Sequence, residues 1–164
     1  MVESVQNQIK KLLPTVEALY NKLLLVVGES GSGKTTVLLD AAKEHECKVI
    51  NLNLALSFEL LELTEKQRVL KLPGLIADII KEARPIVFLD NIEILFDNGL
   101  KQDPLKLLQG LSRNYLIVAS WNGKFKKNKL IYAAPDHPEY RVYDSKDTII
   151  VSMDKIATTN FEKI

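Results

Sequence analysis

Residues Gly28 to Thr35 read Gly-Glu-Ser-Gly-Ser-Gly-Lys-Thr and lie between an apolar run, Leu23-Leu24-Leu25-Val26-Val27, and a helical pattern that opens near Gly33. Strand, glycine-rich loop and helix in that order restrict the chain to α/β architectures whose sheet presents a phosphate site at a strand end. Gly28, Gly31 and Gly33 let the backbone curl without Cβ clashes, so that successive N–H groups turn inward around phosphate oxygens. Lys34 supplies a mobile cation for β- and γ-phosphates, Thr35 a hydroxyl for Mg²⁺, and the following helix the positive end of its dipole. Glu29, Ser30, Ser32 and Thr36 are expected to complete the nucleotide contact.

At 164 residues the chain has room for one ordinary domain with its own core, and not for a second beside it. The expected division is a helical lead-in over 1–20, a nucleotide-binding core over 22–153 and a short tail over 154–164. With 46% hydrophobic and 26% charged residues, the composition is globular rather than disordered or collagen-like. A net charge of +1 gives no general electrostatic pull toward nucleic acid. Cys47 is the only cysteine, which excludes an internal disulfide, and its spacing from His45 and His137 suggests no metal site. The amino terminus is amphipathic and interrupted by Pro14, and no apolar run approaches membrane-spanning length, so a soluble cytoplasmic protein is expected.

Ile9, Leu12, Leu13, Val16 and Leu19 recur at helical spacing, which predicts one or two short helices bent near Pro14. A first strand over 22–27 and a helix over 33–44 follow. Alternation of Ile50, Leu52, Leu54 and Leu56 with Asn51 and Asn53 predicts a peripheral second strand over 48–56. Ser57 then caps a helix carrying Leu60, Leu61 and Leu63, and Pro73-Gly74 separates it from a second segment with Leu75, Ile76, Ile79 and Ile80. A third strand covers 86–89. Asp103-Pro104 reads as N-cap and first-turn proline of a helix, Tyr115 to Trp121 as a fourth strand, and 129–134 and 148–153 as further strands. The predicted fold is a three-layer α/β/α P-loop domain with a mainly parallel five-stranded sheet.

The strand Ile86-Val87-Phe88-Leu89 ends in Asp90-Asn91-Ile92-Glu93. Ligands bind at the carboxyl ends of such strands, which makes Asp90 the Walker B carboxylate for Mg²⁺ and Glu93 a base for the attacking water. Asn91 stands where many hydrolytic relatives of this superfamily carry that acid. Ala119-Ser120-Trp121-Asn122-Gly123 closes the fourth strand; if this strand lies between the other two, Asn122 resembles sensor 1 of AAA+ ATPases, with Ser120 as a weaker alternative. Asn122-Gly123 equally favours a simple turn. Asn128-Lys129-Leu130-Ile131 lacks the aspartate of a guanine motif, and no ABC-type signature is present, so ATP is favoured over GTP.

Lys124, Lys126, Lys127 and Lys129 form a basic loop able to meet DNA phosphates, although a solvated loop is the plainer reading. Arg141 is a candidate arginine finger toward a neighbouring subunit. His137, between two turn residues, reads as structural.

Several strings together resemble BrxF, the small P-loop family of type III BREX phage-defence systems. They are Gly28 to Thr35, Leu56-Ser57 with Leu60 to Leu63, Leu89 to Glu93, Lys101 to Leu105, Leu108 to Arg113 and His137 to Arg141. The resemblance spans about residues 23–143. It implies an AAA+-like ATPase working beside a DNA methyltransferase, a large ATPase and other defence proteins, with ATP-site roles on Lys34, Thr35, Asp90, Glu93 and Asn122. Beyond 148–153 the sequence offers too few residues for the helical lid usual in AAA+ proteins. Three classes of function follow: an ATPase completed by self-assembly, a nucleotide-gated module that loads partners or DNA, and a structural subunit that retains ATP.

Overall fold

The computed structural model describes residues 4–133, 136–144 and 148–153. Leu23–Gly28 is buried at every position and forms β1, and it is followed by α2, Lys34–Glu44, with α1, Val5–Glu17, ahead of both. A strand without alternation needs cover on both faces, and it has it. Leu24 and Val26 pack with Phe88, Val118 and Val151 under α1 and α2, whereas Leu23, Leu25 and Val27 pack with Val87, Leu89 and Ile117 on the opposite side.

The remaining elements are β2 (Val49–Asn51), α3 (Leu52–Leu60), α4 (Glu65–Ile80), β3 (Ile86–Asp90), α5 (Pro104–Leu111), β4 (Leu116–Lys126), β5 (Lys129–Tyr132), β6 (Arg141–Asp144) and β7 (Ile149–Ser152). Two 3₁₀ turns, Glu93–Phe96 and Asn98–Leu100, follow β3. Five strands run parallel in the order β2-β3-β4-β1-β7, so β4 stands between the phosphate-loop strand and the Asp90 strand. This is the three-layer P-loop fold predicted from the sequence. No helical lid occurs among the described residues, and the tail at 154–164 lies outside them.

Several local expectations are corrected. The second strand ends at Asn51, whose side chain accepts from Leu54 N at 3.1 Å and starts α3. Leu52, Leu56 and Leu60 form the buried stripe of that helix while Leu54 is exposed. Ser57 sits inside α3 and caps nothing; Thr64 and Gln67 form a reciprocal capping box at the start of α4. Pro14 and Pro73 interrupt neither helix. A proline leaves the carbonyl four residues earlier without its helical donor, and Gln102 Nε2 reaches that carbonyl, Val69 O, at 3.4 Å.

Past Asn122, β4 leaves the parallel sheet and pairs antiparallel with β5, which pairs with β6. Asn122-Gly123 is therefore strand and not turn; the turn is Lys127-Asn128, with φ of 49° and 63° suited to a two-residue hairpin. A Cβ on Gly123 would lie 1.8 Å from Ile131 O, so only glycine allows β4 and β5 to approach there. Phe125, Leu130 and Tyr143 of the ribbon pack inward. Beneath them Tyr132 stacks on Phe96 with centroids 3.5 Å apart, and Trp121 meets Phe96 edge-on at 5.1 Å. Trp121 Nε1 donates to Ile131 O at 3.1 Å, which satisfies its buried N–H. No described helix is long and apolar enough to cross a membrane.

Candidate active site

The loop between β1 and α2 holds Gly31 and Gly33 at φ of 83° and 100°, backbone that L side chains rarely adopt. Gly33 offers no side chain to cap α2, leaving the first N–H groups of that helix for an anion. Lys34 is 6% exposed, and its Nζ donates to Gly28 O at 2.9 Å and Glu29 O at 2.8 Å. Burial lowers its pKa, partly opposed by the carboxylates of Glu93, Asp90 and Glu29.

Asp90 ends β3 and is 5% exposed. Thr35 Oγ1 donates to its Oδ2 at 2.6 Å, Ser120 Oγ to its Oδ1 at 2.6 Å, and Asn91 N to the same Oδ1 at 3.0 Å. One carboxylate thus ties α2, β3 and β4 together. Ser120 and Asn122 share a face of β4, being two residues apart on a strand. The register sets Asn122 opposite Gly28 at the mouth of the loop. Ser30, Gly31, Gly33, Lys34, Thr35, Asp90, Asn91, Glu93 and Asn122 line one cleft of about 320 Å³.

Glu93 opens the 3₁₀ turn after β3, and that turn is held from below. Asn53 at the start of α3 donates its N–H to Asn91 O at 2.9 Å and accepts from Ile94 N at 2.8 Å through Oδ1. Asn91 takes a left-handed φ of 53°, which bends the chain there. Burial raises the pKa of Glu93, reinforced by the nearby Asp90 charge and opposed by Lys34 and by backbone hydrogen bonds. Its carboxylate is therefore a better proton acceptor than an exposed glutamate.

The donor set fits a magnesium nucleotide. Mg²⁺ prefers hard oxygen ligands and is commonly held by one or two protein groups plus phosphates; here a hydroxyl and a carboxylate meet beside a glycine loop at a helix N-terminus. Among the described residues no cluster of three His, Cys, Asp or Glu forms a separate all-protein metal cage.

Not every predicted site residue reaches this cleft. Thr36 is exposed on α2 away from its lining, and Glu29 points instead to Lys124, with Nζ to Oε1 3.1 Å. Arg141 is not displayed toward it either. Its Nη1 donates to Gln102 O at 3.0 Å and its guanidinium lies 5.9 Å from the Phe96 ring centre. Asn98 Nδ2 meets Pro138 O at 3.4 Å, so the Lys101 to Arg113 and His137 to Arg141 regions, distant in sequence, meet across one seam. His137 Nδ1 accepts from Glu139 N at 3.0 Å, a turn contact in keeping with a structural role. The grip of Ser120 on Asp90 is the contact that sequence reasoning missed, although its spacing from Asn122 was the available signal.

Residues 24–129, more than half the chain, match the family model for ATPases associated with various cellular activities. The chain belongs to the AAA family of ATPases. Solved structures similar to this AAA domain include AMPPCP-bound DnaA from Aquifex aeolicus, with 19% identity, 94% of this chain and 48% of that one covered, and a TM-score of 0.46. C. elegans PCH-2 follows at 20% identity, 72% and 34% coverage and a TM-score of 0.40. A katanin structure described for its self-assembly has 20% identity, 74% and 40% coverage and a TM-score of 0.38. This chain thus spans between 34% and 48% of the length of those structures. A search of curated proteins returned no match.

Proposed function

We propose that this AAA domain is an ATP-hydrolysing subunit of a type III BREX phage-defence system, and that its nucleotide state governs assembly with copies of itself, partner proteins or DNA. The observation that carries the ATPase reading is the Thr35–Asp90–Ser120 chain of hydrogen bonds beside Lys34, with Glu93 in the same cleft. The BREX reading rests on the resemblance of the strings above to BrxF.

In this reading the loop N–H groups and Lys34 hold the triphosphate, and Thr35 with Asp90 holds Mg²⁺. Held by Thr35 and Asp90, that ion would supply positive charge against the negative charge that develops on the phosphoryl oxygens. Glu93 accepts the proton of the attacking water, and Asn122 orients that water or the γ-phosphate. No arginine lines the cleft among the described residues, so a cation from a neighbouring protomer or partner is proposed to complete it; Arg141 serves that role only if it leaves Gln102. Lys124, Lys126, Lys127 and Lys129 are the proposed DNA-contacting surface, and the cytoplasm the proposed location. Asn91 in the position after Asp90 favours a second reading, a nucleotide-gated module that binds ATP without turning it over.

Titration with a fluorescent ATP analogue and Mg²⁺ tests the site. Lys34→Ala is expected to lose at least about 100-fold in affinity, since it removes the buried cation; unchanged affinity would sink the phosphate-loop assignment. Glu93→Gln is expected to keep that affinity and to slow turnover by about 100-fold or more across protein concentrations. Equal turnover removes Glu93 as the base, and no turnover by either protein at any concentration selects the second reading.

A further inference from the structure

A second cavity, of about 450 Å³, lies beside the phosphate cleft between the loop and the ribbon. Glu29 and Ser30 form its wall on the loop side, and Lys124, Lys126, Ile131 and Tyr140 its wall on the ribbon side. Strand register explains that wall. Lys124 stands opposite Ile131 and Lys126 opposite Lys129, so all four share the outer face of the ribbon while Phe125 and Leu130 fill the inner one. Lys127 adds a charge at the hairpin tip, and Val142, opposite Ile131 on β6, extends the apolar part at 48% exposed.

Charge is concentrated here. The whole chain has a net charge of +1, yet four exposed lysines fall between positions 124 and 129. Among the described residues, Glu29 pairs with Lys124 and Asp144 stands opposite Lys129 in register. Lys126 and Lys127 extend the basic surface outward from the cavity mouth. Lysines at alternate strand positions stand about 7 Å apart, a separation that successive phosphates of an extended single strand can match. A duplex offers that ribbon its phosphates but keeps its bases stacked inside. Only a single strand can also seat a base against Tyr140 and Ile131.

We infer that the outer face of the ribbon and this cavity bind single-stranded nucleic acid, phosphates on the lysines and a base against Tyr140; this rests on the proposed reading of the lysines as a DNA-contacting surface. A bound strand competes with Glu29 for Lys124.

The test is fluorescence anisotropy of the full chain with labelled oligo(dT), oligo(rU) and a duplex of equal length, over about 50–200 mM salt. Oligo(dT), oligo(rU) or both are expected to bind more tightly than the duplex, the preferred sugar identifying the source. The expected log–log salt slope is about −2, or about −0.7 for each of three phosphates. The pair Lys126→Glu with Lys127→Glu should weaken binding by about tenfold or more and flatten that slope. Tyr140→Ala should weaken it by about 5- to 100-fold, the range for one stacked base, with the slope retained. Both variants should bind ATP as the unaltered chain does, which separates loss of this surface from loss of the fold or of the phosphate site. A duplex bound as tightly as oligo(dT), or Tyr140→Ala without effect, overturns the single-strand inference and leaves the DNA-contact reading standing. Polyglutamate that displaces the oligonucleotide from the pair variant and the unaltered chain alike overturns it too, and absence of binding to every probe at the lowest salt overturns both.

Discussion

The phosphate cleft and the ribbon are built from the same strand, β4, by opposite means. The cleft gathers short contiguous strings at the carboxyl ends of parallel strands, and its strongest contacts are polar: Thr35 and Ser120 on one buried carboxylate. The ribbon is held from beneath by Trp121, Phe96, Tyr132 and Tyr143, aromatic groups drawn from four separated stretches. Polar contacts over short, aimed distances position chemistry; apolar contacts spread over large rings set stability. Mutations in the two regions should therefore be read with different instruments.

Trp121→Ala is the largest expected effect. It removes a fully buried indole and should cost about 3–5 kcal/mol in urea unfolding, whereas a loss below about 1 kcal/mol would show that the aromatic cluster does not hold the ribbon. Ser120→Ala should be smaller and felt elsewhere. A hydrogen bond to a charged acceptor is worth about 1.5–3 kcal/mol, so affinity for Mg-ATP should fall by about tenfold or more while ATP affinity in chelator is kept. Ser120→Thr, which retains the hydroxyl, should recover it; equal losses with and without Mg²⁺ would mean that the serine matters only for folding.

The smallest effect concerns Glu93 and pH. Burial holds its carboxyl above the ordinary value, so the native state binds that proton more tightly than the unfolded chain, and ionisation costs stability as pH rises above the usual glutamate range. Glu93→Gln is accordingly expected to raise Tm by about 1–2 °C at neutral pH. The gain should vanish below the ordinary glutamate pKa, where the carboxyl is protonated in both states. A lower Tm at neutral pH would contradict this.

How much was legible in the sequence divides along the same line. Gly28 to Thr35 and Asp90 were readable because each is a local string whose chemistry depends on its immediate neighbours. The place of β4 between β1 and β3 agrees with the polar residues at its end, which the sequence could use only on the condition that the strand lay there. The second strand misled because a period of two contains a period of four: Leu52 and Leu56 satisfy a strand and a helix equally, and Asn51, able to cap, decided for α3. Pro73 read as a break because Gln102, which supplies a donor to Val69 O, lies 33 positions away from that carbonyl. Asn122-Gly123 left a turn open beside the sensor 1 reading because the reason for the glycine, the Ile131 carbonyl, is on another strand. Such long-range partners leave no periodic trace.

β4 is 11 residues long, and it carries Ser120 against Asp90, Asn122 in the cleft and Lys126 at the far end of the ribbon. From Ser120 to Lys126 is about 20 Å of continuous strand, with Trp121 wedged at its base and no loop between. A lever of that kind has no joint. Tilting the ribbon by a few degrees about that base would carry its lysine tip by about an ångström and the serine end by far less.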